Sequence, residues 1–187
     1  MRSKDDDVLI HDHAELGELL GQLIAALEAN HIARAHGTLD LFWARLAMHI
    51  RAEHLHLFPA ISNALSQSRN VHNDDAPSPA EAESTIERLH EDHDFFMREV
   101  AQAIAVTRSL PANPGGQVVE QLQAVRAKIG AVQARLVKHN EIEEKGIYLW
   151  TRSVLSEAEQ SALAARVQAE LENMPPRFGI DETQKGT

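Results

Sequence analysis

His139-Asn140-Glu141-Ile142-Glu143-Glu144-Lys145-Gly146-Ile147-Tyr148 repeats the frame of an earlier stretch, His49-Ile50-Arg51-Ala52-Glu53-His54-Leu55-His56-Leu57-Phe58. Each runs His, three residues, Glu, a second polar group, then an aliphatic residue and an aromatic one. Helical residues four apart lie one above the other on one face. Each copy therefore aims an imidazole and a carboxylate at a single point. Two such pairs facing one another make a metal site rich in nitrogen and oxygen donors.

Spacing alone is a weak signal. With 11 His in 187 residues, about one His-x-x-x-Glu arises by chance. Three occur, at His11/Glu15, His49/Glu53 and His139/Glu143. The first falls off the apolar seam of its helix and reads as a surface pair. The weight rests on the extended likeness of the other two and on the helix face they occupy.

The rest of the chain reads as their scaffold. Long stretches rich in Ala, Leu, Glu, Gln and Arg separate clustered Pro and Gly, which is an all-helical composition. A formal net charge of −10 argues against nucleic acid, whose phosphates call for clustered Lys and Arg. Without Cys there are no disulfides, thiolate metal sites or thiol chemistry, so His must carry any transition-metal chemistry. No apolar run approaches the ~18 residues of a membrane span, and the N-terminus lacks a signal-like apolar segment. The expected compartment is the cytoplasm.

Along the chain, Leu9, His13, Leu16, Leu20, Leu23 and Leu27 step by fours and threes, the seam of a bundle helix running from about Asp7 into the low thirties. A turn near Gly37 follows, with Thr38 as the expected cap of the second helix. That helix has the seam Phe42, Leu46, His49, Glu53, His56 or Leu57, and Ala60, with Pro59 as a kink and fraying by Ser66. A polar loop over Arg69–Ala76 precedes Ser78-Pro79-Ala80-Glu81, which announces the third helix. Its seam is Ile86, Leu89, His93, Phe96, Val100 and Ala103. After a break at Pro111–Gly116, the fourth helix carries Val118, Leu122, Val125, Ile129, Val132, Leu136, His139, Glu143, Ile147 and Trp150. Ser156-Glu157-Ala158-Glu159 opens a fifth helix to about Asn173, ended by Pro175-Pro176 and followed by a mobile tail. Leu163, Val167 and Leu171 fit it either to the bundle or to a second copy. The expected fold is all-α: an up-down-up-down antiparallel four-helix bundle over residues 1–150, with a C-terminal helix and tail over 151–187.

Six polar residues occupy seam positions that otherwise hold Leu or Val: His13, His49, Glu53, His93, His139 and Glu143. A buried carboxylate without a partner costs several kcal/mol, against a total stability of about 5–15 kcal/mol. Arg51, two residues before Glu53, is turned away by the helical period. Metal cations answer the electrostatics. Reflection about the third loop sets His139 about 10 Å from the level of His93, at 1.5 Å per residue.

These residues resemble the hemerythrin-like (HHE cation-binding) family, defined by a His on the first helix, His-x-x-x-Glu on the second, a His on the third and His-x-x-x-Glu on the fourth. The resemblance spans roughly residues 8–150. It implies a non-haem di-iron centre with Glu53 and Glu143 bridging and His13, His49, His93 and His139 terminal. Oxygen-carrying members place His-x-x-x-His on the third helix. Here Leu89 and Met97 stand four residues either side of His93. The set is closer to the four-His, two-Glu members similar to iron–sulfur-cluster repair proteins, though without their cysteines.

Five further residues are candidates for an extra ligand or a supporting contact: His90, His54, His56, Glu144 and Tyr148. His54 and Glu144 each follow a seam glutamate and are placed to orient ligand imidazoles. Two functions follow. One is a di-iron protein that binds or turns over O₂, NO or peroxide. The other is a non-catalytic metal-binding or sensory module holding iron, zinc or manganese, with zinc able to enter on isolation. Monomer and homodimer are both compatible with the sequence.

Overall fold

In the computed structural model, residues 4–67, 76–110 and 116–178 are described. Most of the expected polar loop, nearly all of the Pro111–Gly116 break and the tail lie outside them. The elements are α1 (Lys4–Glu28), α2 (Ile32–Ala52), α3 (Pro79–Ser109), α4 (Gly116–Ile142) and α5 (Glu157–Glu172). The helix begun by α2 passes through a π-helical turn at Glu53–Leu57 and continues over Phe58–Ser66. The helix begun by α4 does the same, with a π-turn at Glu143–Ile147 and a last segment Tyr148–Val154. The four long helices close a ring, α1 on α2, α2 on α3, α3 on α4 and α4 on α1.

The first turn falls earlier than the sequence predicts. Asn30 adopts the left-handed conformation at φ 55°. The His31 amide donates to Ala26 O at 2.9 Å and the Asn30 amide to Leu27 O at 3.1 Å, the paired bonds of a Schellman ending. Arg126 of α4 adds a guanidinium to Leu27 O and to Asn30 Oδ1. Gly37 and Thr38 consequently lie inside α2 rather than opening it. This earlier turn, centred on Asn30, sets His49 opposite residues 11 and 12, close to His13.

The later starts agree with their sequence signals. Ser78 Oγ accepts the Glu81 amide at 3.2 Å, with Pro79 in the first position of α3. Ser156 and Glu159 form a reciprocal capping box on α5. That helix packs back on α1 and α2 of its own chain, with Leu163 and Val167 fully buried.

Between α3 and α4 the reflected level is wrong. His93 lies 16 residues before the end of α3 at Ser109, whereas His139 lies 23 residues after the start of α4 at Gly116. The α4 helix therefore begins about 10 Å beyond the end of α3. The two imidazoles meet at one depth.

Each π-turn also shifts the seam by one residue. The Phe58 amide bonds to Glu53 O, and the Tyr148 amide to Glu143 O, a five-residue reach in place of four. The buried positions past Glu53 are then Leu57, Phe58 and Ile61, and past Glu143 they are Ile147, Tyr148 and Thr151. Ala60 and Trp150, expected in the seam, are only partly buried. Pro59 follows the first π-turn, but Leu149 takes the matching place after the second, so proline is not required to form one.

Two apolar clusters fill the interior. One runs from Leu16 through Phe42, Phe96 and Leu136. The other holds Leu9, Leu57, Phe58, Leu89, Ile147 and Tyr148 together with Leu163 and Val167 of α5. The six polar seam residues form the layer between them.

Candidate metal centre

All six are buried, with His13 the most exposed at 6 % and both glutamates at 0 %. Their Nε2 atoms converge in pairs. His13 Nε2 lies 3.2 Å from His49 Nε2, and His93 Nε2 lies 3.0 Å from His139 Nε2. Each glutamate spans the two pairs. Glu53 turns Oε1 toward His49 at 3.6 Å and Oε2 toward His93 at 3.3 Å. Glu143 turns Oε2 toward His13 at 3.2 Å and Oε1 toward His139 at 2.9 Å. Two donor groups result, His13 and His49 with Glu143, and His93 and His139 with Glu53 and Glu143, so that Glu143 is common to both.

Behind this layer stands a second set of groups that fixes the rings. His49 Nδ1–H donates to Asp12 Oδ2 at 2.9 Å, and His139 Nδ1–H to Asp92 Oδ2 at 3.1 Å. Arg45 holds Asp12 through Nη2 at 2.7 Å, and Arg135 Nε bonds Asp92. His13 Nδ1–H donates to Glu144 Oε1 at 2.9 Å, while His93 Nδ1 meets His54 Nε2 at 2.8 Å. An imidazole whose Nδ1–H is engaged on the outside presents its Nε2 lone pair inward. The carboxylates of Glu144, Asp12 and Asp92 hold the His13, His49 and His139 rings in that sense, and the His93 ring is held by His54.

His54 and Glu144 stand against the outer nitrogens of His93 and His13. Tyr148, five residues past Glu143, is drawn inward by the π-turn. Its hydroxyl lies 3.1 Å from both His13 Nε2 and Glu53 Oε1, and 3.4 Å from Glu143 Oε2. His90 stands outside the layer with its ring 4.3 Å from that of His54. His56 faces Glu170 of α5 at 3.9 Å, away from the centre. His11 and Glu15 form the expected surface pair at 3.4 Å. Arg51 does turn away, pairing with Glu170 at 2.9 Å.

Asp12, Asp92, Arg45 and Arg135 carry roles that the sequence reading did not assign. The signal was present: Arg-x-x-x-His-x-x-x-Glu occurs in both halves, and Asp12-His13 is echoed by Asp92-His93. The arginines neutralise the aspartates, so within the layer the glutamates face imidazoles.

The electrostatics of the layer call for positive charge. Burial alone would lower the His13 pKa, but the Glu143 and Glu144 carboxylates outweigh it and raise it to about 10. Burial would likewise raise Glu143, yet His139 and His13 hold it well below the usual carboxylate range. Burial, with the Glu143 and Glu53 charges, drives the Tyr148 phenol well above its ordinary value. Burial beside His93 and His90 takes His54 down to about 4.

The donor set fits a metal by two observations. Glu53 Oε2 and Glu143 Oε1 are buried and accept no hydrogen bond, despite the nearby imidazoles. The paired Nε2 atoms stand at the separation of about 3.0–3.4 Å that neighbouring donors take when each lies ~2.1 Å from one ion.

A helical bundle enclosing a buried, two-fold-repeated layer of histidine and glutamate defines a class of candidate metal-binding domains. The family model for the hemerythrin HHE cation binding domain matches residues 4–151, and the chain belongs to that family. No curated protein and no solved structure matches it. Among the described residues, no helix is long and apolar enough to cross a membrane.

Proposed function

We propose that the chain holds a pair of metal ions, iron in the working protein, and that the pair binds or turns over a small oxidant such as O₂, NO or peroxide. The observation that carries this reading is the way each glutamate offers one oxygen to each histidine pair. His13 and His49 would hold one ion, His93 and His139 the other, with Glu53 and Glu143 bridging. Bound iron would supply open coordination places and redox chemistry. The chain's own groups hold and orient the imidazoles through Asp12, Asp92, Glu144 and His54. The two apolar clusters keep water from the layer on both sides. The Tyr148 hydroxyl is a proton donor already positioned beside the donor atoms.

The reading is tested by spectral titration of the iron-loaded protein with O₂, NO and H₂O₂. A change in the charge-transfer bands with at least one of them is expected. Bands indifferent to all three would overturn it.

The near-complete burial of the six donors favours a second reading, a non-catalytic module in which iron, zinc or manganese ties the bundle together. A large drop in melting temperature on chelation, without any response to the oxidants, would select this reading.

A further inference from the structure

The two halves of the centre match residue by residue at His13/His93, His49/His139, Glu53/Glu143, Asp12/Asp92 and Arg45/Arg135. They differ at the residue after each bridging glutamate and at the residue five beyond it. Glu144 corresponds to His54, and Tyr148 corresponds to Phe58. Both differences fall against the histidine that lacks an aspartate. Glu144 takes the outer N–H of His13 at 2.9 Å, whereas His54 stands at the outer nitrogen of His93 at 2.8 Å. Tyr148 brings a hydroxyl oxygen within 3.1 Å of His13 Nε2. Phe58 lays an apolar ring nearly parallel to His93, centroids 6.2 Å apart with the planes at 13°.

We propose that the two metal positions are unequal and that the His13/His49 position is the tighter one and fills first. This rests on the metal reading above. A carboxylate behind a ligating imidazole raises its basicity and gathers negative charge toward the ion, and loss of such a partner typically weakens binding 10–100-fold. The His13/His49 position has two carboxylates behind its rings, Glu144 and Asp12. The His93/His139 position has one, Asp92, with a histidine in place of the other. An imidazole brings no negative charge in either of its ordinary protonation states, so the inequality does not depend on how His54 titrates. Glu144 is 39 % exposed, and the field it exerts is moderated but not removed by solvent.

The experiment is a calorimetric and optical titration of the metal-stripped full-length chain with Co(II). Repulsion between neighbouring cations separates two binding steps in any case. The decision therefore lies in which step each variant moves. Glu144→Gln keeps a hydrogen-bond acceptor for His13 and removes only the charge. It is expected to weaken the first step about 10-fold and to leave the second unchanged. His54→Glu supplies the missing carboxylate to His93 and is expected to strengthen the second step. An unchanged titration in Glu144→Gln, equal weakening of both steps, or movement of the second alone would overturn the inequality while leaving the two-ion reading intact. Fewer than two ions on the wild-type chain would overturn that reading and the inequality with it.

Discussion

Glu53→Gln should move the stability of the metal-free and metal-loaded protein in opposite directions. Glu53 is 0 % exposed, and its Oε2 accepts no hydrogen bond although His93 Nε2 lies 3.3 Å away. A buried polar group left unsatisfied costs about 1–3 kcal/mol. Glutamine has nearly the same shape and keeps an acceptor for the Tyr148 hydroxyl. Its neutral amide replaces the carboxylate, so the unsatisfied oxygen Oε2 no longer brings a buried charge. In a domain of this size, 1 kcal/mol corresponds to about 2–4 °C in melting temperature. The metal-free variant should therefore melt roughly 2–12 °C above the metal-free parent. With iron restored the order reverses, because the variant has lost a bridging carboxylate and draws less stabilisation from the metal. Circular-dichroism melts of chelator-treated and iron-reconstituted protein give all four values. If Glu53→Gln lowers the melting temperature in both states, Glu53 is an ordinary structural residue and the reasoning is wrong.

Asp92→Asn should weaken metal binding by about 10–100-fold in a competition titration, because it removes the carboxylate that orients His139 while preserving the shape of the site. Metal-free stability should follow the raised His13 and the lowered Glu143. The His13 contribution is full below the unfolded value of 6.5 and is lost as pH rises toward 10. The Glu143 contribution is present above the unfolded value of 4.5 and is lost as pH falls below it. The metal-free protein should thus be most stable between those two unfolded values. The extra stability given by metal should grow with pH over the same range and beyond, since protons compete for the imidazoles. Melts from pH 5 to 9 with and without chelator check both trends. Leu163→Ala removes a fully buried side chain that seats α5 on the bundle and should cost about 2–5 kcal/mol, measured by urea unfolding.

The helix starts and the polar layer were legible because each depends on a few neighbouring residues. Ser78-Pro79 and the Ser156/Glu159 box announced their helices by local hydrogen bonding. The six seam residues announced themselves by occupying apolar positions. The first turn was misplaced because Gly37 and Thr38 carry stronger turn signals than Asn30, whose left-handed backbone is secured from outside by Arg126. The π-turns were hidden because a seam extrapolated at one period cannot register an inserted residue. They turned Tyr148 into the donor layer and Trp150 partly out of the seam. The Asp12–Arg45 and Asp92–Arg135 pairs lay in plain sequence, but their meaning depends on which helices become neighbours.

The most direct test is the metal content of the freshly purified chain, by elemental analysis of wild type and of Glu143→Ala. The expected result is two iron ions per wild-type chain, one for each donor group, and one or none in the variant. A wild-type chain that carries no metal and takes up none on reconstitution, or a variant that still holds both ions, would contradict the bridged pair.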